Sequence, residues 1–110
     1  MAKAAKKLGA PAEQIQDLRN ALEWLKAEGD LIETDTEVDP DLEIIAIQKN
    51  LDGGCPILFN NVKGKPHHRA VTNLFGDMNV INKMFGWESH TDRTRKLANA
   101  INHQIPPVEV

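Results

Sequence analysis

A chain of 110 residues with 41% hydrophobic content is one domain's worth of protein, enough to bury a single core. A formal charge of −3, 5% aromatic content and the absence of tyrosine argue against a phosphate-backbone partner and against a stacking platform for single strands. The one cysteine, Cys55, excludes an internal disulfide, and no apolar run reaches the ~18 residues of a membrane helix.

These bounds lead to a cytoplasmic protein with no nucleic-acid and no membrane partner. Met1–Leu8 carries three lysines but lacks the apolar centre of a secretory signal. Charge is unevenly placed. Between Glu28 and Asp52 every ionisable side chain but Lys49 is acidic, whereas Lys63, Lys65, His67, His68 and Arg69 make a basic run.

Residues 1–12 read as a mobile Lys- and Ala-rich lead. Ile15, Leu18, Leu22 and Leu25 then recur at three- and four-residue steps, predicting a helix from Asp17 to Glu28. Asp17 suits its N-cap and Gly29 its left-handed end. From Leu31 to Val38, Ile32, Thr34, Thr36 and Val38 alternate with Glu33, Asp35 and Glu37. That period of two predicts a half-buried strand with its acids turned to water.

Asp39-Pro40 predicts a second helix, capped by Asp39 and apolar over an arc wide enough to be well buried. Asp52-Gly53-Gly54 is a stop signal. Cys55–Phe59 then reads as a buried strand and Arg69–Leu74 as its hairpin partner, across a loop containing Lys63-Gly64-Lys65-Pro66. Two further helices are predicted, Asp77–Phe85 ended by Gly86 and Thr91–His103 ended by Ile105-Pro106-Pro107. The order implies a single α+β domain over 13–104, a small mixed or antiparallel sheet flanked by helices, with 105–110 as an exit linker leading toward a new strand.

Candidate chemistry is sparse. His67, His68, His90 and His103 lack the ligand count and spacing of a metal site, and surface or structural roles are expected for them. Asp52-Gly53-Gly54-Cys55 has no following Lys-Ser/Thr and precedes a strand, so it forms a turn and not a phosphate loop. Cys55, at the head of an apolar strand, reads as a buried and inert thiol. The acidic stretch does not follow calcium-loop spacing. Asn73 suits a side-chain amide that holds a turn. Trp24 and Trp87 suit either the core or an interface anchor. The run Lys63–Arg69 is the strongest candidate for contact with an anion. No Ser-His-Asp, Cys-His or paired-carboxylate set is present, and no catalytic, cofactor-binding or metal-binding residue is assigned.

Four ordered segments carry a family resemblance. Asp17-Leu18-Arg19 with Leu22-Glu23-Trp24-Leu25 and Gly29-Asp30-Leu31-Ile32 resembles the opening of UbiD-type decarboxylases. Glu37–Ile44, Pro56–Gly64 and Thr72–Gly76 resemble that family's next three signatures, and Ile105-Pro106-Pro107-Val108 its approach to a second domain.

The resemblance implies a reversible, non-oxidative (de)carboxylase of aromatic or α,β-unsaturated acids. Such enzymes use prenylated FMN as electron sink, with Mn or Mg and K. Cofactor and catalytic Glu-Arg-Glu network lie in a central split-barrel domain, and a C-terminal domain drives oligomerisation. None of those motifs occurs between Met1 and Val110. The chain resembles the N-terminal domain alone, a fragment or small subunit that packs as a wall or lid on the cofactor domain. The rival expectation is a non-catalytic binding or regulatory protein derived from that domain.

Overall fold

The computed structural model of the chain describes residues 11–110, so most of the expected mobile lead, residues 1–12, lies outside the described residues. A 3-10 turn, Pro11–Glu13, precedes the first helix, α1, Leu18–Glu28. The side chain of Asp17 accepts the Asn20 N–H at 2.8 Å, supplying one of the donors that a helix start leaves unpaired. Gly29 closes the helix at φ 78°, a conformation that costs glycine nothing. Ala21, Leu22 and Leu25 are its buried stripe, as the periodicity predicts.

The first strand, β1, is shorter than expected. Only Ile32–Thr34 is regular, and the chain rejoins the sheet through a single parallel bridge from Val38 to Val62. The hydroxyl of Thr34 accepts the Thr36 N–H at 3.2 Å, a local bond that competes with the strand ladder and bends the chain. The acids are not simply solvated either. Asn60 Nδ2 donates to Glu33 and to Asp35, each at 2.9 Å, and Lys26 pairs with Glu33 at 2.8 Å.

The second helix, α2, departs furthest from expectation. It runs Glu43–Asn50, and no residue in it is buried. Asp39 does not cap it. Its carboxylate is used in a turn with the Asp41 N–H and in an ion pair with Lys63, at 2.9 and 3.1 Å. Leu42 sits at φ 68°, which bars helix until Glu43. Ile44 and Ile47 alone face the core, while Leu42 is 71% and Ile45 60% exposed.

Strand β2, Ile57–Phe59, is buried throughout and pairs antiparallel with β3, Ala70–Thr72, and parallel with β1. The parallel pairing needs a long crossover, which α2 supplies. The three-stranded sheet, order β1-β2-β3, is mixed, and the α+β expectation holds.

Alternation along β2 divides the core. Ile57 and Phe59 meet Val38, with Ile44 and Ile47 of α2 packed against them. Leu58 faces the other way and shares a groove with Leu22 of α1. Of these, the buried side chains Val38, Ile57, Leu58 and Phe59 each contribute about 1.5–3 kcal/mol relative to exposure.

Helix α3, Met78–Phe85, packs on the Pro11–Glu13 turn and buries Val80 and Met84. Asp77 caps it through the Asn79 N–H, and Lys83 reaches Glu28 at the end of α1 and Asp30 just beyond it. Helix α4, His90–Asn102, starts one residue before the expected position. Its cap, Ser89, accepts the Asp92 N–H at 3.1 Å. No residue of α4 is buried. The Cα radius of gyration is 17.1 Å, against about 13 Å for a compact chain of this length, because α4 and the segment after it stand away from the core.

Candidate functional site

Polar contacts hold only the first half of α4. Lys96 Nζ donates to the Gly86 carbonyl at 3.2 Å, and Arg93 Nη1 reaches Asn82 at 3.5 Å. Asp92 anchors this end. Its carboxyl is drawn down to about 2, first by Lys96, then by the Glu88 N–H, then by Arg95. Past Lys96 the helix carries no Asp, Glu, Lys or Arg. Leu97 and Ile101, one helical turn apart, then Ile105 and Val108, form an exposed apolar series.

A second apolar surface lies across α1 and α3. Leu18, Phe75 and Phe85 are exposed around a groove of about 380 Å³ floored by Ile15 and Met84. Phe85 stacks on Trp87, with ring centroids 4.7 Å apart and planes at 16°. Trp87 thus joins the rim of this face, whereas Trp24 is half-buried on α1. Contiguous exposed apolar surface of this kind marks an interaction site more often than isolated residues do.

The sequence-predicted polar candidates are dispersed. His90 opens α4 and His103 closes it, with His103 Nδ1 within 2.9 Å of the Asn99 carbonyl. His67 and His68 lie on the exposed turn before β3. Cys55 is half-buried ahead of β2, less enclosed than expected. Asp52-Gly53-Gly54 is a turn closed by the Gly54 N–H on the Leu51 carbonyl at 2.7 Å. A Cβ on Gly54 would meet that same oxygen.

Asn73 takes φ 56° and its amide donates to the Leu51 carbonyl at 3.1 Å. It thereby ties the end of β3 to the loop after α2, the turn-holding role expected of it. Lys63 is engaged by Asp39, which raises the lysine and lowers the carboxyl; Asp39 is lowered first by the Asp41 N–H. Arg69 instead borders a groove of about 450 Å³ that Arg19 also lines, a juxtaposition no linear motif reveals.

Among the described residues no group of three or more His, Cys, Asp or Glu side chains could hold a metal ion. One buried side-chain oxygen, Thr72 Oγ1, has no partner, but it is a single hydroxyl in the row with Ile32 and Ile57.

Comparison with known proteins gives the setting. Residues 22–101 match the family model described as the 3-octaprenyl-4-hydroxybenzoate carboxy-lyase N-terminal domain, UbiD_N. Gallate decarboxylase of Lactiplantibacillus plantarum is 32% identical over 110 residues, which covers 90% of this chain and 22% of that protein.

The UbiD-class enzyme HmfF of Pelotomaculum thermopropionicum, solved with FMN, superposes with TM-score 0.71 at 36% identity, covering 81% of this chain and 20% of that one. An evolved dimeric form of HmfF is solved with prFMN. Vanillic acid decarboxylase of Sedimentibacter hydroxybenzoicus gives TM-score 0.72 at 29% identity, covering 84% and 21%. The chain thus spans about a fifth of the length of these relatives. It belongs to the UbiD family, as a match to that family's N-terminal domain.

Proposed function

We propose that this chain is the N-terminal domain, or a separately made small subunit, of a UbiD-type reversible non-oxidative (de)carboxylase of aromatic or α,β-unsaturated acids. It supports a prenylated-FMN domain that lies outside it. The observation that carries the reading is the family match over residues 22–101, in a chain that spans about a fifth of its relatives. Supporting it is the apolar surface described above, whose occupant is the remaining part of the enzyme.

The chain's contribution is packing and orientation. Leu97 and Ile101 on α4, with the Leu18–Phe75–Phe85 groove, seat it on the cofactor domain, and α1, α3 and the sheet keep those side chains in place. It supplies no catalytic, cofactor-binding or metal-binding residue; prenylated FMN, Mn or Mg and K are held by the rest of a cytoplasmic, oligomeric assembly.

The test is complementation. The purified chain is added to the separately purified remaining domains of the same enzyme, loaded with prenylated FMN, and CO₂ release is followed. The reading predicts that CO₂ release and flavin retention rise on addition, and that the chain alone shows neither. Equal turnover with and without the chain would overturn it, as would turnover by the chain alone.

A further inference from the structure

The basic run Lys63–Arg69 is not used by the packing role, and the structure divides it. Lys63 is committed to Asp39 at 3.1 Å, and the Lys65 N–H closes a turn on the Val62 carbonyl. Of the run, His67, His68 and Arg69 border the groove of about 450 Å³ that runs between the start of α1 and β3. Arg19, from α1, lines the same groove. Two cations from segments fifty residues apart in sequence therefore share one hollow.

Their pairing state sets these two apart from the other described arginines, since Arg93 bonds Asn82 and Arg95 pairs with Asp92. Lys26, Lys63, Lys83, Arg95 and Lys96 all sit in ion pairs. Among the described residues Arg19 and Arg69 have no such carboxylate partner. The acid on this rim, Asp17, is occupied as the cap of α1, accepting the Asn20 N–H at 2.8 Å. Glu33, which feels the charge of Arg69, is held low first by Lys26 and then by Asn60, and it bonds both.

The floor between the arginines is apolar, made by Leu22, Leu58 and Val71, with Leu22 and Leu58 buried. Guanidinium groups present planar forks that match the oxygens of phosphate or carboxylate. A groove of a few hundred Å³ that combines an apolar bed with a few convergent polar groups is the usual form of a small-molecule site.

We propose that this groove binds a small organic anion, one phosphate or carboxylate group carried on an apolar body, with Arg19 and Arg69 on the charge and Leu22, Leu58 and Val71 under the body. The site adjoins the apolar docking face, sharing Asp17 and Leu18 with its groove, and is independent of the carboxylase reading. Inorganic phosphate fills only its polar half.

The experiment is an amide chemical-shift titration of the full chain with phenyl phosphate and, separately, with inorganic phosphate. Saturable shifts centred on Arg19, Leu58 and Arg69 are expected with phenyl phosphate, at an affinity at least about tenfold above that of inorganic phosphate, since the phenyl ring covers apolar floor. Arg19→Gln and Arg69→Gln should each weaken binding by about tenfold to a hundredfold, the usual loss for a charge-assisted bond, while Lys49→Gln leaves it unchanged. Arg69→Lys keeps the charge but loses the fork, so it weakens binding without endangering the fold. In the unmodified chain, affinity should fall as salt rises.

Shifts that do not saturate overturn the proposal, and so do equal affinities for the two probes. Binding that survives Arg69→Gln or Arg69→Lys undiminished, or that ignores salt, also overturns it.

Discussion

Replacing Leu97 and Ile101 together by glutamine separates packing within the chain from packing against a partner. Glutamine and leucine have similar helix propensity, so α4 itself is not weakened. In the free chain Leu97 is 50% and Ile101 68% exposed. Substitutions at such positions change stability by no more than about 0.5 kcal/mol each.

On a partner domain, the exposed half of one side chain and two-thirds of the other would be covered. At about 1.5–3 kcal/mol for complete burial of a Leu or Ile side chain, the pair forfeits about 2–3.5 kcal/mol of association, or roughly 30- to 300-fold in Kd. Thermal unfolding of the free chain and calorimetric titration against the remaining UbiD-type domains measure the two halves. An unchanged Kd would refute the docking role of α4. A collapse of the free chain's stability would show that this stripe is internal core instead.

Other expectations follow from single contacts. Phe59→Ala, at a site 1% exposed between Val38 and Ile57, should cost about 3–5 kcal/mol in urea unfolding; a loss under 1 kcal/mol would mean that the core is elsewhere. Gly29→Ala meets no steric obstacle but must hold φ 78°, so about 1–2 kcal/mol of stability should be lost, all of it conformational.

Asp92 gives an acid signature. Its folded-state carboxyl is depressed to about 2, so its contribution is complete above the unfolded value of about 3.9 and is lost as pH falls through about 2. Amide exchange at the start of α4 should accelerate across that window, and Asp92→Asn should remove the step. A step above pH 5, or one that persists in the variant, would contradict this.

Much of the fold is legible in the sequence because it is encoded locally. The stripe Leu18, Leu22 and Leu25 with Asp17 and Gly29 at its ends defines α1 without reference to anything distant. Asp77 and Gly86 do the same for α3. The short strand Ile57–Phe59 follows from an apolar run between turn residues.

Expectation fails where a side chain chooses a distant partner. Asp39 looks like a helix cap until Lys63, twenty-four residues on, takes its carboxylate, and the start of α2 moves to Glu43. Glu33 and Asp35 look solvated until Asn60 bridges them. The expected burial of α2 fails for a related reason: an apolar arc shows what a helix could cover, not what is available to cover it.

The candidate surfaces were less legible still. Nothing in the sequence marks Phe75 and Phe85 as outward-facing; their exposure around the Leu18 groove shows it. Arg19 carries no local signal at all; its meaning comes from Arg69 in the same groove.

Hydrogen exchange tests the docking face most directly, measured on the chain free and mixed with the remaining domains of the enzyme. Protection should appear along Leu97–Asn102 and around Leu18, Phe75 and Phe85, with the turn Lys63–His68 unchanged. Protection confined to that turn, or no protection on mixing, would contradict a supporting role built on the apolar face.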